Sequence, residues 1–356
     1  MNKKVEQVII HGLVCPVPLA HAETIVIGHG SGGRMTQRLI EKVFYPALEN
    51  PILLRGDDGA VVSTPAGDRL AISTDAYIVS PLFFPGGDIG RLAVSGTVND
   101  LAMMGARPLW LTASFILEEG LPVYLLEQVL LSMKASAEQA GVTIVAGDTK
   151  VAERGKADGL FITTTGIGWI PEGREAGGAR AQDGDAVILS GTLGDHGIAV
   201  LAARGDLAFE TALESDIASL NDLVEAMFTA CPDIHALRDP TRGGLATTLN
   251  EIARQSDRAI LIEEDQLPVK PEVQAACEIL GFDPLYVANE GKLVVIVPDR
   301  CAENVLEAMR AHPLGVNAVR IGGVQDLPAG RVLMHTAIGA TRVVDVLAGE
   351  MLPRIC

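Results

Sequence analysis

The chain has 356 residues, enough for two domains of ordinary size, and 48% hydrophobic content with only 4% aromatic predicts cores of Val, Ile, Leu and Ala in an α/β fold. A formal charge of −17 excludes non-specific binding to nucleic acid or an anionic membrane, since phosphate attraction needs a positive surface; no apolar run reaches membrane-spanning length. The cysteines, Cys15, Cys231, Cys277, Cys301 and Cys356, are scattered without a C-x-x-C pair and indicate neither a disulfide framework nor a zinc site.

Residues 1–23 imitate a secretory signal loosely, but His11, Pro16 and Pro18 interrupt the apolar stretch, so they are read as an extra strand or arm of a cytoplasmic protein. A strand-like run, Ile25-Val26-Ile27, then empties into the glycine-rich Gly28-His29-Gly30-Ser31-Gly32-Gly33, and 34–47 reads as a helix. Backbone N–H groups in such a loop can approach an anion unobstructed, although the spacing is not that of a Walker A loop. Asp57 and Asp58 precede a short apolar run, and a strand over 70–74 ends on Asp75. Residues 86–104 have helical spacing with a small-residue face and carry Asn99 and Asp100. A buried strand over 109–117, a helix from Pro122 to Ala140 and a strand over 143–146 deliver Gly147-Asp148-Thr149-Lys150, and 161–168 closes the first unit as a strand.

The glycine-rich stretch 171–184 marks the boundary between a first domain, 24–170, and a second, 185–336. The second opens with a strand over 186–190 and the loop Gly191-Thr192-Leu193-Gly194-Asp195-His196-Gly197. Asp239-Pro240-Thr241-Arg242-Gly243-Gly244 precedes a helix, and strands over 285–288 and 293–297 flank Asn289-Glu290-Gly291-Lys292. Residues 337–356 form a tail ending in Pro353-Arg354-Ile355-Cys356; Gly349 and Pro353 disfavour helix, so the tail is expected to be extended and able to leave the fold.

Asp58, Asp75, Asp100, Asp148 and Asp239 each sit at a strand end, in a small-residue helix or beside a glycine turn. Any one is an ordinary cap or turn acceptor; five together predict a cleft whose carboxylates need a cation. Mg²⁺ takes oxygen ligands from carboxylates, water and polyphosphate at once, so the expectation is a Mg²⁺–ATP site.

The ordered motifs at 28–33, 56–60, 73–75, 99–100, 147–150, 239–244 and 289–292 resemble the aminoimidazole ribonucleotide synthetase (PurM-like) superfamily of ATP-using enzymes. Within it, Phe83-Phe84-Pro85-Gly86-Gly87, the loop 190–197 and the ending at Cys356 resemble the HypE family of hydrogenase maturation factors. The resemblance implies two α/β (α+β) domains, the N-terminal mixed sheet pairing in a homodimer, the C-terminal part an α/β sandwich, with a flexible tail. It also implies that a carbamoyltransferase, HypF, loads a carbamoyl group onto Cys356. ATP then drives its dehydration to a thiocyanate, and the cyanide passes through a HypC–HypD scaffold to the iron of a nickel–iron hydrogenase. By the same resemblance Gly30, Gly32, Gly33, Asp58, Asp75, Asn99, Asp100, Asp148, Thr149 and Arg242 would bind nucleotide, Glu290 would be the base, and Lys150 would hold the transferring phosphate or polarise the carbamoyl oxygen.

Arg354 is expected to offset the carboxylate that discourages Cys356 from ionising, and His196 to line the tail's path. Two alternatives stay open: a superfamily enzyme acting on a free small molecule, such as a selenophosphate synthetase or thiamine-monophosphate kinase, and a nucleotide-gated scaffold with a metal-binding tail. The thiol at position 356 weighs against the first.

Overall fold

A computed structural model describes residues 24–205, 212–347 and 354–356. The expected N-terminal arm and most of the tail beyond residue 347 lie outside the described residues. The described residues open with a 3-10 turn, Ile27–Gly30, where a strand was expected, and a helical run, α1 (Arg34–Leu39), a π turn (Ile40–Phe44) and α2 (Tyr45–Leu48).

The first body contains β1 (Ala60–Ser63), β2 (Arg69–Tyr77), a small hairpin of β3 (Phe83–Phe84) and β4 (Gly87–Asp88), α3 (Ile89–Met103), β5 (Arg107–Glu118), α4 (Val123–Ala140), β6 (Thr143–Ala152) and β7 (Leu160–Ile170). Its mixed sheet has the order β1-β2-β7-β5-β6, with β5 and β6 parallel and the other pairs antiparallel. Gly147-Asp148-Thr149-Lys150 lies inside β6 rather than after a strand. Burial alternates along β7, as it must when one face of a sheet is covered. The covering helices are α3 and α4; the other face carries Trp110 and Ile116, 47% and 44% exposed.

The second body contains β8 (Asp185–Leu189), α5 (Asp195–Ala203), α6 (Asn221–Ala230), β9 (Ala236–Arg238), α7 (Gly244–Ser256), β10 (Ala259–Glu263), α8 (Pro271–Leu280), β11 (Val294–Pro298), α9 (Asp299–Arg310), β12 (Val319–Gln325), β13 (Arg331–His335) and β14 (Thr341–Val344). The sheet order is β14-β13-β10-β12-β8-β11-β9. Every residue of β8 and β11 is buried because both faces are covered. Ile188, Val295 and Val297 pack with α6 and α9, while Val187, Leu189, Val294 and Ile296 pack with α7. The strand expected over 285–288 is instead a 3-10 turn, Pro284–Tyr286, started by Pro284 and capped by Asp283.

Helix α3 is buried almost all round, which explains why a small-residue sequence suits it: it lies against β2, β5 and β7 on one side and against α6 and β9 of the second body on the other. A charged strap reinforces this junction. Glu225 of α6 accepts from Arg107 Nη2 at 2.8 Å and from Arg174 Nη2 at 2.9 Å, and Arg174 lies 4.4 Å over the Phe228 ring. Burial alone would raise the Glu225 carboxyl, but hydrogen bonds from Arg174 and Arg107 outweigh it and hold it at about 2 against an ordinary 4.5. The strap therefore contributes fully above pH 4.5 and is lost as pH falls toward 2. We expect Glu225→Gln to lower unfolding free energy by about 1 kcal/mol at neutral pH, the modest figure reflecting a partly exposed pair. The gap should narrow as pH drops below 4.5. Urea midpoints across pH check this; identical midpoints at neutral pH would remove the strap from the account.

Candidate active site

Four of the predicted carboxylates meet where the two bodies join. Asp58 precedes β1, Asp75 lies on β2, Asp100 in the last turns of α3 and Asp239 directly after β9. Ser73 donates to Asp100 Oδ2 at 2.6 Å, and its hydroxyl lies 3.1 Å from the Asp58 carbonyl oxygen. Arg238 pairs with Asp58, donates to the Gly56 carbonyl at 2.7 Å, and lies 3.6 Å from both Asp57 and Glu251.

Burial pushes the Asp100 carboxyl well above the usual carboxylate range, and the charges of Asp239, Asp75 and Asp58 push it further. Asp239 is raised well above that range by burial and by Asp58. Asp58 is raised by burial against the pull of Arg238. One oxygen, Asp58 Oδ2, is buried without a hydrogen-bond partner. Mutual repulsion and an orphaned oxygen are what a cation would relieve. Among the described residues, however, no three His, Cys, Asp or Glu side chains are grouped to hold a metal by themselves. The arrangement thus fits an ion held by one or two carboxylates together with phosphate and water, which is how Mg²⁺ is ordinarily bound.

Beside this cluster the end of the chain is docked. Val79 and Ile355 form an antiparallel bridge just past β2, with Ile78 N–H donating to the Cys356 carbonyl at 3.1 Å and Ser80 N–H to the Arg354 carbonyl at 3.2 Å. Ile355 is buried in the core cluster with Tyr77, Val79 and Phe84. This puts the half-buried Cys356 thiol close to the Glu290 carboxyl, Arg242 and Asp75, with Cys356 and Arg242 lining one cavity. Burial, Glu290 and Asp75 raise the thiol well above its ordinary value against the pull of Arg242, so the docked sulfur is a neutral thiol. The Glu290 carboxyl is also raised well above its usual range, by burial first and then by Asp239, Asp216 and Asp75, with Arg242 opposing. Its Oε1 is buried and unpartnered. A cavity of about 490 Å³ opens here, lined among others by His29, Gly30, Ser31, Ala76, Arg242 and Cys356.

The remaining predicted residues fall into three groups. Gly32 and Gly33 serve close packing: a Cβ would come within 2.8 Å of the Arg242 carbonyl oxygen at Gly32, where φ is +74°, and within 2.6 Å of the Leu347 carbonyl oxygen at Gly33. Asn99, expected at the nucleotide, spends its amide on the main chain, donating to Ala218 O at 3.0 Å and accepting from Leu220 N–H at 2.8 Å; it is a strut beneath the Glu290 loop. Asp148, Thr149 and Lys150 do not join the cluster. Asp148 pairs with Lys150 at 2.7 Å on the exposed β6 and accepts from the Thr149 N–H. Asp148 aligns with Ser114, Thr163 and Ala76, three strand spacings or roughly 14 Å across the sheet from β2, on the face opposite Asp75.

Arg354 pairs with Asp158 rather than shielding Cys356; Arg242 takes that role. Asp216 is the residue the sequence hides best: it accepts from the Glu290 N–H at 3.0 Å and from Lys292 Nζ at 2.9 Å, yet sits in a loop with no motif.

The family model described as AIR synthase related protein, N-terminal domain, matches residues 56–170, and that of the C-terminal domain matches 182–335. Over 332 residues the chain is 56% identical to the carbamoyl dehydratase HypE of Cupriavidus necator, covering 93% of this chain and 95% of that protein. The solved HypE–HypF complex superposes with a TM-score of 0.82 at 49% identity, covering 87% of this chain and 99% of that one. A solved HypE in complex with ATP gives 0.79 at 50% identity, covering 94% and 100%. With both domains matched and more than half of the sequence shared along nearly its full length, the chain belongs to the HypE family of AIR synthase-related proteins.

Proposed function

We propose that this protein is an ATP-dependent carbamoyl dehydratase that converts an S-carbamoyl group on its own Cys356 to a thiocyanate during hydrogenase maturation. The observation that carries the reading is the closeness of the Cys356 thiol to Glu290 and Arg242 beside the acidic cluster. In the docked state the sulfur is a neutral thiol, so its loading belongs to the undocked tail, where a separate carbamoyltransferase, HypF, can reach it. A HypC–HypD scaffold is the proposed acceptor of the cyanide.

On redocking, the carbamoyl oxygen attacks the γ-phosphorus of ATP and ADP leaves. One N–H proton is lost as the oxygen is phosphorylated and the second as the C–O bond breaks, so that phosphate departs and C≡N remains on sulfur. Glu290 suits the proton transfers because burial and neighbouring charge raise its affinity for a proton toward the working pH. Arg242 lies over the reacting end of the tail and offsets negative charge there. One or two of Asp58, Asp75, Asp100 and Asp239 would hold Mg²⁺, which would neutralise the charge that develops on the transferring phosphate.

Asp148 and Lys150 are assigned to a second copy. They face away from their own acidic cluster, on a sheet whose exposed edge strand β6 pairs, among the described residues, with β5 alone and whose open face carries Trp110 and Ile116. In a homodimer joined through these sheets, one chain's Lys150 would reach the other chain's phosphates.

Four outcomes test the reading. Glu290→Gln should keep ATP affinity yet slow thiocyanate formation by about 10²-fold or more, with the carbamoylated tail accumulating in intact-mass spectra. In the wild type the rate should rise with pH through an apparent pKa well above 4.5, because the carboxylate form is the acceptor, and this limb should vanish in the variant. Asp100→Asn, or excess chelator, should weaken ATP binding in calorimetry; unchanged affinity in both would remove the metal-bridged site. Mixing Lys150→Ala chains with Cys356→Ser chains should restore the turnover that each lacks alone, and a mixture that stays inactive would put Lys150 to work within its own chain or not at all.

A further inference from the structure

Three motifs singled out in the sequence meet around one side chain that the reaction above does not use. The loop 190–197 supplies His196 at the start of α5, fully buried. The stretch 83–87 forms β3, β4 and their turn: the Phe84 ring meets the imidazole edge-on, centroids 5.6 Å apart, and Pro85 O accepts from Ser215 N–H at 2.8 Å. At Gly86, where φ is +88°, a Cβ would fall 2.6 Å from Ser215 N, so the turn closes only with glycine. The end of the chain supplies the Ile355 carbonyl, 2.7 Å from His196 Nε2.

The hydrogen-bond inventory fixes the tautomer. In the bridge between Val79 and Ile355, the neighbouring carbonyls of Arg354 and Cys356 bond to the strand, so the Ile355 carbonyl points away from it. A carbonyl can only accept, so Nε2 carries the proton and donates. Nδ1 of the neutral ring then accepts from the Ser215 hydroxyl at 2.8 Å, and Ser215 Oγ in turn accepts from Ile217 N–H at 3.3 Å. Burial, which pulls the imidazole toward its neutral form, agrees with this. The next residue, Asp216, holds the Glu290 N–H and Lys292.

We propose that His196, oriented by Ser215, is the positioning residue that captures the Ile355 carbonyl and so sets the Cys356 sulfur against Glu290. The proposal rests on the dehydratase reading for its purpose, but the docking it describes is measurable without any chemistry on the tail. Without the imidazole donor the carbonyl enters the core unpaired, and the docked tail loses population to the free one.

The test is alkylation of the unmodified chain by iodoacetamide, read by peptide mass at Cys356 and, as an internal control, at Cys301. His196→Ala should speed alkylation of Cys356 about tenfold, the worth of one buried hydrogen bond, while Cys301 is unaffected. His196→Gln, whose amide returns a donor to the carbonyl without the ring, should bring the rate back to within about threefold of wild type. If urea midpoints show that His196→Ala fails to fold, Ser215→Ala withdraws only the orienting hydroxyl and should speed Cys356 by about threefold. A Cys356 rate equal to wild type in the folded variant used, or a Gln variant as fast as Ala, overturns the proposal. In single-turnover assays His196→Ala should slow thiocyanate formation at unchanged ATP affinity. Loss of that slowing with the alkylation effect intact would count against the dehydratase reading alone.

Discussion

Like charge held in one poorly hydrated place is the constraint on which this structure depends. Asp58, Asp75 and Asp239 each raise the proton affinity of at least one of Asp100, Asp239 and Glu290, and Arg238 and Arg242 offset only part of that repulsion. Such a cluster stays together only if the elements bearing it cannot separate. Helix α3, buried against both sheets, carries Asp100 into the cluster and Asn99 beneath Glu290, so one rigid element fixes the acidic group and the proposed base together. The Arg107–Glu225–Arg174 strap closes the same junction just past the C-terminal end of the helix, where Arg174 also donates to the Gly105 carbonyl.

The two sheets are built to different ends. The second is covered on both faces, so its central strands read as continuous apolar runs and act as a fixed wall for Asp239 and Glu290. The first keeps one face and one edge uncovered, and it is there that Asp148 and Lys150 stand. The contrast follows from sequence. Alternation in β7 leaves polar and aromatic residues on the outer side, whereas Ala186 to Leu189 offer nothing that would be stable in water.

Much of this was legible in the sequence, and what was not has identifiable causes. Helices α3 and α4 announce themselves by periodicity, strands β2, β5, β7, β8 and β11 by apolar or β-branched runs, and the carboxylates by their glycine or small-residue surroundings. The run 25–27 looks like a strand because apolar β-branched residues favour one, yet the following glycines let the chain turn at once into a 3-10 helix. Leu285 to Ala288 misleads in the same way, with Pro284 and the Asp283 cap deciding for a 3-10 turn. Asn99 lies in a recognisable motif, but only the tertiary fold reveals that its amide is committed to the main chain of the 218–220 loop. Asp216 and the role of Arg242 next to Cys356 were beyond reach, because each depends on contacts between segments far apart in the chain. Arg354 was misjudged for the complementary reason: proximity in sequence to Cys356 suggested a partnership, whereas the backbone at Arg354 leaves the extended region, with φ at +55°, and the side chain pairs with Asp158.

The docked end of the chain also changes what rate measurements on this protein mean. Cys356 and Glu290 belong to one molecule, so their encounter is governed by an effective concentration set by the intervening chain and not by how much protein is in the tube. No substrate level saturates such a step, and a Michaelis constant for the carried group has no meaning; the informative quantity is a first-order constant per loading event. On the proposed reading, dilution that leaves the dimer intact would leave that constant untouched while slowing loading by, and delivery to, other proteins. A protein arranged this way can therefore be scarce without its central reaction becoming slow.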